Sequence, residues 1–153
     1  MKKKLVIKPI KKKKLTDQQI TEKQRKKCVK LAKDISKKRD DYKCQYCGVG
    51  KPQRQVHSHH FFHEGLNMAM SADPDNLITL CVSHHQGVFN SSIGRFMGSH
   101  DNFNFHNSPV ESTNWFKERY PERYEKLLRK SKEYTKLNLF YWLEKEKELK
   151  KYG

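Results

Sequence analysis

No stretch of this sequence is apolar for long enough to cross a membrane. Near its start only Leu5 to Ile7 run together without a polar residue, where a span needs about 20. The opening, MKKKLVIKPIKKKK, therefore does not read as a secretory signal, and a cytoplasmic chain is expected. Acid is also scarce: 17 Asp and Glu stand against 33 Lys and Arg, a formal charge of +16. That excess suits a polyanion, because neutralising phosphates releases condensed counterions. A membrane surface fits less well, since the basic runs lack a broad apolar helix face. Apolar residues make up only 35% of the 153, so the core is thin and a bound metal is one way to staple it. Cysteines number four. In a reducing compartment they point to metal or redox chemistry rather than to disulfides. Neither an internal repeat nor a heptad is present.

What is there begins with a lysine-rich arm, residues 1–15, interrupted by Pro9. It reads as disordered, or as a basic arm that orders on nucleic acid. Thr16 and Gln19 have capping-box spacing, which predicts a helix after Thr16 within residues 16–42. Ile20, Cys28, Leu31, Ala32 and Ile35 share one face of it, and Cys28 reads as a buried free thiol. Val56 to Phe62 is a predicted strand, Gly65 to Asp75 a loop, Asn76 to Leu80 a short extended piece and Val82 to Asn90 a helix. Residues 98–114, rich in Ser, Asn, His and Asp, read as a loop or crossover. Two helices should follow. One starts at Pro121 with Tyr124, Leu127 and Leu128 on its apolar side. The other covers roughly Lys136 to Lys151, with Leu139, Trp142, Leu143 and Leu149 inward.

Two residue pairs have metal-ligand spacing. Cys44-Gln45-Tyr46-Cys47 is followed by Gly48, which can take the left-handed conformation of a tight turn. Cys81-Val82-Ser83-His84 repeats the spacing. Zinc takes four such ligands in a tetrahedron, supplied in close pairs. Residues 48–80 separate the pairs, far more than the roughly 12 of the common DNA-reading finger, so a small module is inserted between them. A thioredoxin-like reading of Cys44 and Cys47 fails: no strand–helix alternation surrounds them, and Cys81 would go unexplained.

Inside the module lie His57, His59, His60 and His63. On a strand His57 and His59 share one face and His60 the other. Neighbouring imidazoles can then do different jobs, one binding a metal and one staying a base. His85, at the start of the helix after the second pair, can turn back and complete a metal site.

These residues resemble the HNH, or ββα-metal, nuclease superfamily. The likeness rests on His59-His60, on Asn76 within Asp75-Asn76-Leu77-Ile78-Thr79-Leu80-Cys81, and on His85, over roughly residues 40–92. More loosely, KKRDDYKCQYCG, His57-Ser58-His59-His60-Phe61 and WFKERYPERYEKL resemble phage recombination endonucleases of the NinG/Rap type. The departures are His84, where many relatives have cysteine, and His59, where many have Asp or Gly. The resemblance implies an α+β fold, a small zinc-stapled ββα-metal core over residues 43–97. A basic arm and helix precede this core, and residues 98–153 supply a loop and C-terminal helices. It implies a structural Zn²⁺ on Cys44, Cys47, Cys81 and His84, and a catalytic Mg²⁺, Mn²⁺ or Zn²⁺ on His59 and His85, with His57 the next candidate. His60 would be the general base and Asn76 would fix its loop. Arg54 and Arg95 would touch phosphate. The implied partner is DNA, branched if the NinG likeness holds, in the host cytoplasm of a phage, and a dimer is compatible with junction cutting. The competing class is a non-catalytic zinc module that only binds nucleic acid. It would need the cysteine pairs but not His60, Asn76 and His85 together.

Overall fold

A computed structural model describes residues 14–50, 52–63, 65, 67–90, 95–97 and 103–152, with backbone alone at 88–90 and 95–97. The capping box is formed. Thr16 Oγ1 accepts from the Gln19 amide at 3.3 Å, and the Thr16 amide donates to Gln19 Oε1 at 2.9 Å. From it runs α1, Asp17–Arg39, burying Cys28, Ala32 and Ser36 and ending in Lys37, Lys38 and Arg39, which complement the helix dipole. Ile20 stays 38% exposed. The chain leaves α1 through Asp41 and Tyr42, both in the left-handed region at φ 51° and 52°. Non-glycine residues pay for that geometry. What holds it is Asp40: its buried carboxylate pairs with Arg39 and accepts from the Thr79 amide at 2.9 Å.

That bond docks α1 on an antiparallel pair, β1 (Val56–His60) and β2 (Leu77–Cys81), in register from Val56 opposite Cys81 to His60 opposite Leu77. All five β2 residues are buried because both faces are covered. Leu77 joins Cys28, Ala32, Ala72, Trp142 and Leu149 in one cluster. Ile78 and Leu80 join Cys44, Met70, Phe105, Phe116 and Leu127 in another. Next come α2 (Val82–Gln86), β3 (Val88–Asn90) paired with β4 (Arg95–Met97), α3 (Pro109–Arg119), α4 (Pro121–Lys130) and α5 (Leu139–Lys150). The fold is α+β: helices around two small two-stranded sheets.

Several expectations are corrected. The helix from Val82 stops at Gln86, not Asn90, because Gly87 at φ 92° breaks it and the chain enters β3. The expected loop from Gly65 to Asp75 contains two 3-10 helices, Met68–Ala72 and Pro74–Asn76, capped by the side chains of Asn67 and Asp73. The expected loop at 98–114 becomes helix at Pro109, so three C-terminal helices follow instead of two. The last helix starts at Leu139 with Asn138 as its cap. Leu143 is 41% exposed. Glu146 takes the inward place, paired with Lys27 and Lys150 and bonded by Gln24. Cys28 lies against α5 as a free thiol, donating to the Trp142 carbonyl at 3.2 Å. Residues 1–13 of the basic arm lie outside the described residues.

Trp142 of α5, 1% exposed and clustered with Cys28 and Ala32 of α1, is the largest fully buried side chain among the described residues. Trp142→Ala should cost about 3–5 kcal/mol, measured by urea unfolding. A loss below about 1 kcal/mol would mean that α5 is not part of the cooperative core.

Candidate metal centres

The first cysteine pair sits in a tight knuckle. The Cys44 amide donates to Val49 O at 2.9 Å, and Gly48, at φ 74°, donates to Cys44 O at 2.8 Å. Gly50 closes the turn against Lys43, where a Cβ would stand 2.2 Å from Tyr42 O, so only glycine fits. The Gln45 amide donates to Thr79 O at 2.9 Å, which ties the knuckle to β2. The second pair arises where β2 becomes α2: Cys81 ends the strand at the position just before the helix, and His84 is on the helix, fully buried.

The donor atoms of Cys44, Cys47, Cys81 and His84 all lie within 4.8 Å of one another. Cys81 Sγ is 3.2 Å and Cys44 Sγ 3.7 Å from His84 Nδ1, and Cys47 Sγ is 4.0 Å from Cys81 Sγ. A tetrahedron built on ordinary zinc bond lengths has edges of about 3.8 Å between sulfurs and about 3.5 Å from sulfur to nitrogen. The cage therefore fits a metal ion such as zinc. Burial pushes the Cys44 thiol up to about 12, so without a cation Cys44 stays a thiol; a bound metal supplies the charge that keeps it as a thiolate.

The histidines divide by strand parity. His57 and His59 face α2, where their ring centroids stand 5.6 Å and 5.3 Å from that of His85. Donor nitrogens of His59, His85 and His106 lie within 4.8 Å of one another. Burial first, then the neighbouring imidazoles, hold His59 down to about 3 and His85 down to about 4. Above the usual imidazole value near 6.5 both rings are neutral, with lone pairs to offer. Burial, helped by Lys37, lowers His57 as well. His63 is exposed, and its Nδ1 accepts from the Gly65 amide at 3.1 Å. His106 was missed by sequence reasoning, hidden in a polar stretch read as a crossover. The only hint was the alternation Phe103-Asn104-Phe105 before it.

His60 points the other way. Its Nε2 lies 2.9 Å from the Ser71 carbonyl oxygen. A carbonyl only accepts, so Nε2 carries the proton and Nδ1 is the basic nitrogen. Asn76, with no exposed surface, binds both sides of this arrangement. Its Nδ2 donates to Phe62 O at 2.9 Å and Met70 O at 3.1 Å, and its Oδ1 accepts from the Phe62 amide at 2.7 Å. Asn76 thus ties the end of β1 to the 3-10 helix that presents Ser71. Arg39 and Arg123 clamp the same turn, both donating to Leu77 O. Arg54 is exposed on the turn before β1. Arg95 is in β4, and its side chain lies outside the described residues.

No family model, no curated protein and no solved structure matches this chain. Fold and site together define an α+β protein with a four-donor cage and, beside it, a cluster of imidazoles. Among the described residues no helix is long and apolar enough to cross a membrane.

Because binding energy at such a cage is folding energy, on the order of 10 kcal/mol, Cys44→Ser or Cys81→Ser should give insoluble or unfolded protein. A zinc-free Cys81→Ser protein with native circular dichroism and cooperative unfolding would show that the cage does not hold the fold.

Proposed function

We propose that the protein is a metal-dependent DNA endonuclease of the HNH, ββα-metal type. The observation that carries this is the split between two adjacent residues of β1. His59 enters the imidazole cluster with His85, while His60 is turned onto a backbone carbonyl that sets its tautomer. The first arrangement suits a metal ligand and the second a general base. The core would be β1, β2 and α2, stapled by zinc on the four-donor cage.

On this reading His60 Nδ1 takes the proton of the attacking water while Nε2 stays on Ser71 O. Asn76, through its bond to Met70 O, steadies the 3-10 helix that carries that carbonyl as charge develops on the ring. His59 and His85 hold a divalent ion, which when bound supplies Lewis acidity toward the phosphate and the leaving 3′ oxygen. The neutral imidazoles of His59 and His85 suit the ligand task.

DNA is supported by charge and its placement. Lys23, Lys26, Lys30, Lys33 and Lys37 recur at helical spacing on α1. They fill an arc of about 80° over about 21 Å of helix. The buried residues of α1, Cys28, Ala32 and Ser36, are on the other side. At the end of the row Lys37 bears on His57 and Lys33 on His85. A row of lysines reads phosphate without reading sequence. Branched DNA is the first substrate to try, on the NinG/Rap likeness.

Cleavage of labelled linear, nicked and four-way DNA with Mg²⁺, Mn²⁺ or Zn²⁺ tests the reading. His60→Ala should lower the rate about 10²–10⁴-fold with folding and zinc content kept, while His85→Ala should be partly rescued by added metal. Full activity in His60→Ala would move the base elsewhere. No cleavage of any substrate would leave a zinc module that only binds nucleic acid. Replacing Lys26, Lys30 and Lys37 together with Ala should flatten the slope of log K against log salt by about 2–3. An unchanged slope would put the DNA on another face.

A further inference from the structure

We propose that His106, outside the β1–β2–α2 unit, is the third ligand of the metal site on His59 and His85, and that this all-imidazole set selects a borderline transition ion over Mg²⁺. This rests on the metal site of the preceding reading and adds a ligand and a metal class to it.

The three rings come from three separate places: β1, α2 and the turn before α3. His106 Nε2 and His85 Nε2 are 3.3 Å apart. Two nitrogens sharing one tetrahedral ion at about 2.0–2.1 Å would stand about 3.3 Å apart. The ring of His59 completes the triangle, 5.3 Å by centroid from each of the other two. The His85 Nδ1 atom is buried and, among the described residues, has no hydrogen-bond partner. Among the described residues no hydrogen bond at that atom commits the ring to a tautomer, so what sits among the three rings decides it.

His106 is exposed, yet the turn that carries it is fixed. The Phe105 amide donates to the His84 carbonyl at 2.9 Å. Asn104, 1% exposed, accepts from the Asn107 amide at 2.9 Å through its side chain and from the Ser108 amide at 3.0 Å through its backbone. The Phe105 ring is buried against His59 and Trp115, and Phe103 stacks on Tyr46 of the knuckle at 4.6 Å. The peptide of His84, a residue of the four-donor cage, thus positions the residue next to His106. A pre-placed exposed imidazole beside two partly buried ones has the placement of a metal ligand.

The donor set fixes the metal class. Three imidazole nitrogens, with no carboxylate in the cluster among the described residues, suit Zn²⁺, Co²⁺ or Ni²⁺. Mg²⁺ wants oxygen ligands and keeps its waters.

The test is to load the full chain with one equivalent of zinc and titrate it with Co²⁺, reading visible absorption and calorimetry. Wild type should take one Co²⁺, and a hundredfold excess of Mg²⁺ should not displace it. His106→Ala should bind Co²⁺ at least about tenfold more weakly, the scale on which even outer partners of a ligand act, with its zinc content and thermal unfolding unchanged. Unaltered Co²⁺ affinity in His106→Ala would overturn the inference while leaving a His59–His85 site and the nuclease reading intact. Failure of wild type to bind Co²⁺, or displacement by Mg²⁺, would also overturn it. Co²⁺ binding that depends on His106 in a protein that cuts no DNA would uphold the site and sink the nuclease reading.

Discussion

The convergence of Cys44, Cys47, Cys81 and His84 within 4.8 Å is the constraint on which the rest of the molecule hangs. It joins the end of β2 to a knuckle far away in sequence. From that junction connections run outward in three directions. Gln45 binds the β2 backbone at Thr79. Tyr46 gathers Phe103, Phe105 and Trp115 into an aromatic group. The His84 carbonyl holds Phe105. A chain with so few apolar residues needs such a hub, because area burial alone stabilises a small domain only marginally. The same hub places two of the three clustered imidazoles: His85 follows a cage residue, and His106 follows the residue bonded to one.

The second organising fact is the two-residue period of β1. His57 and His59 face α2, whereas Ser58 and His60 face the other way. Ser58 meets Ser36 of α1 at 3.0 Å, and His60 meets Ser71. Strand alternation alone sends two adjacent imidazoles, His59 and His60, to opposite faces across a single peptide. Keeping that separation useful requires a rigid backdrop. Asn76 provides it from within, and Arg39 and Arg123 clamp the carbonyls of the turn around it from outside. The Arg123 guanidinium lies over the rings of Phe116 and Tyr120, and burial lowers it to about 10, still charged at neutral pH. So α4, remote from the histidines in sequence, braces their support.

What could be read from the sequence followed from spacing. The two Cys/His pairs, the capping box at Thr16 and the parity of the β1 histidines each depend on residues a few positions apart, where chain geometry leaves little choice. What could not be read depended on tertiary neighbours. Gly87 ends α2 early, and nothing local distinguished that glycine from one tolerated inside a helix. The helix from Pro109 was hidden because its first turn, Pro109-Val110-Glu111-Ser112, continues a polar, loop-like composition. Leu143 and Glu146 exchanged their expected places because α1 offers Lys27 and Gln24 to a carboxylate at that point. His106 joins His59 and His85 through a contact across the fold that no local pattern encodes.

Zinc K-edge absorption on the protein loaded with one equivalent of zinc tests the central claim most directly. The account predicts a first shell of three sulfurs at about 2.3 Å and one nitrogen at about 2.0–2.1 Å. A shell of nitrogen and oxygen alone would place the tightest ion among the imidazoles, and would contradict a fold organised around the cysteine cage.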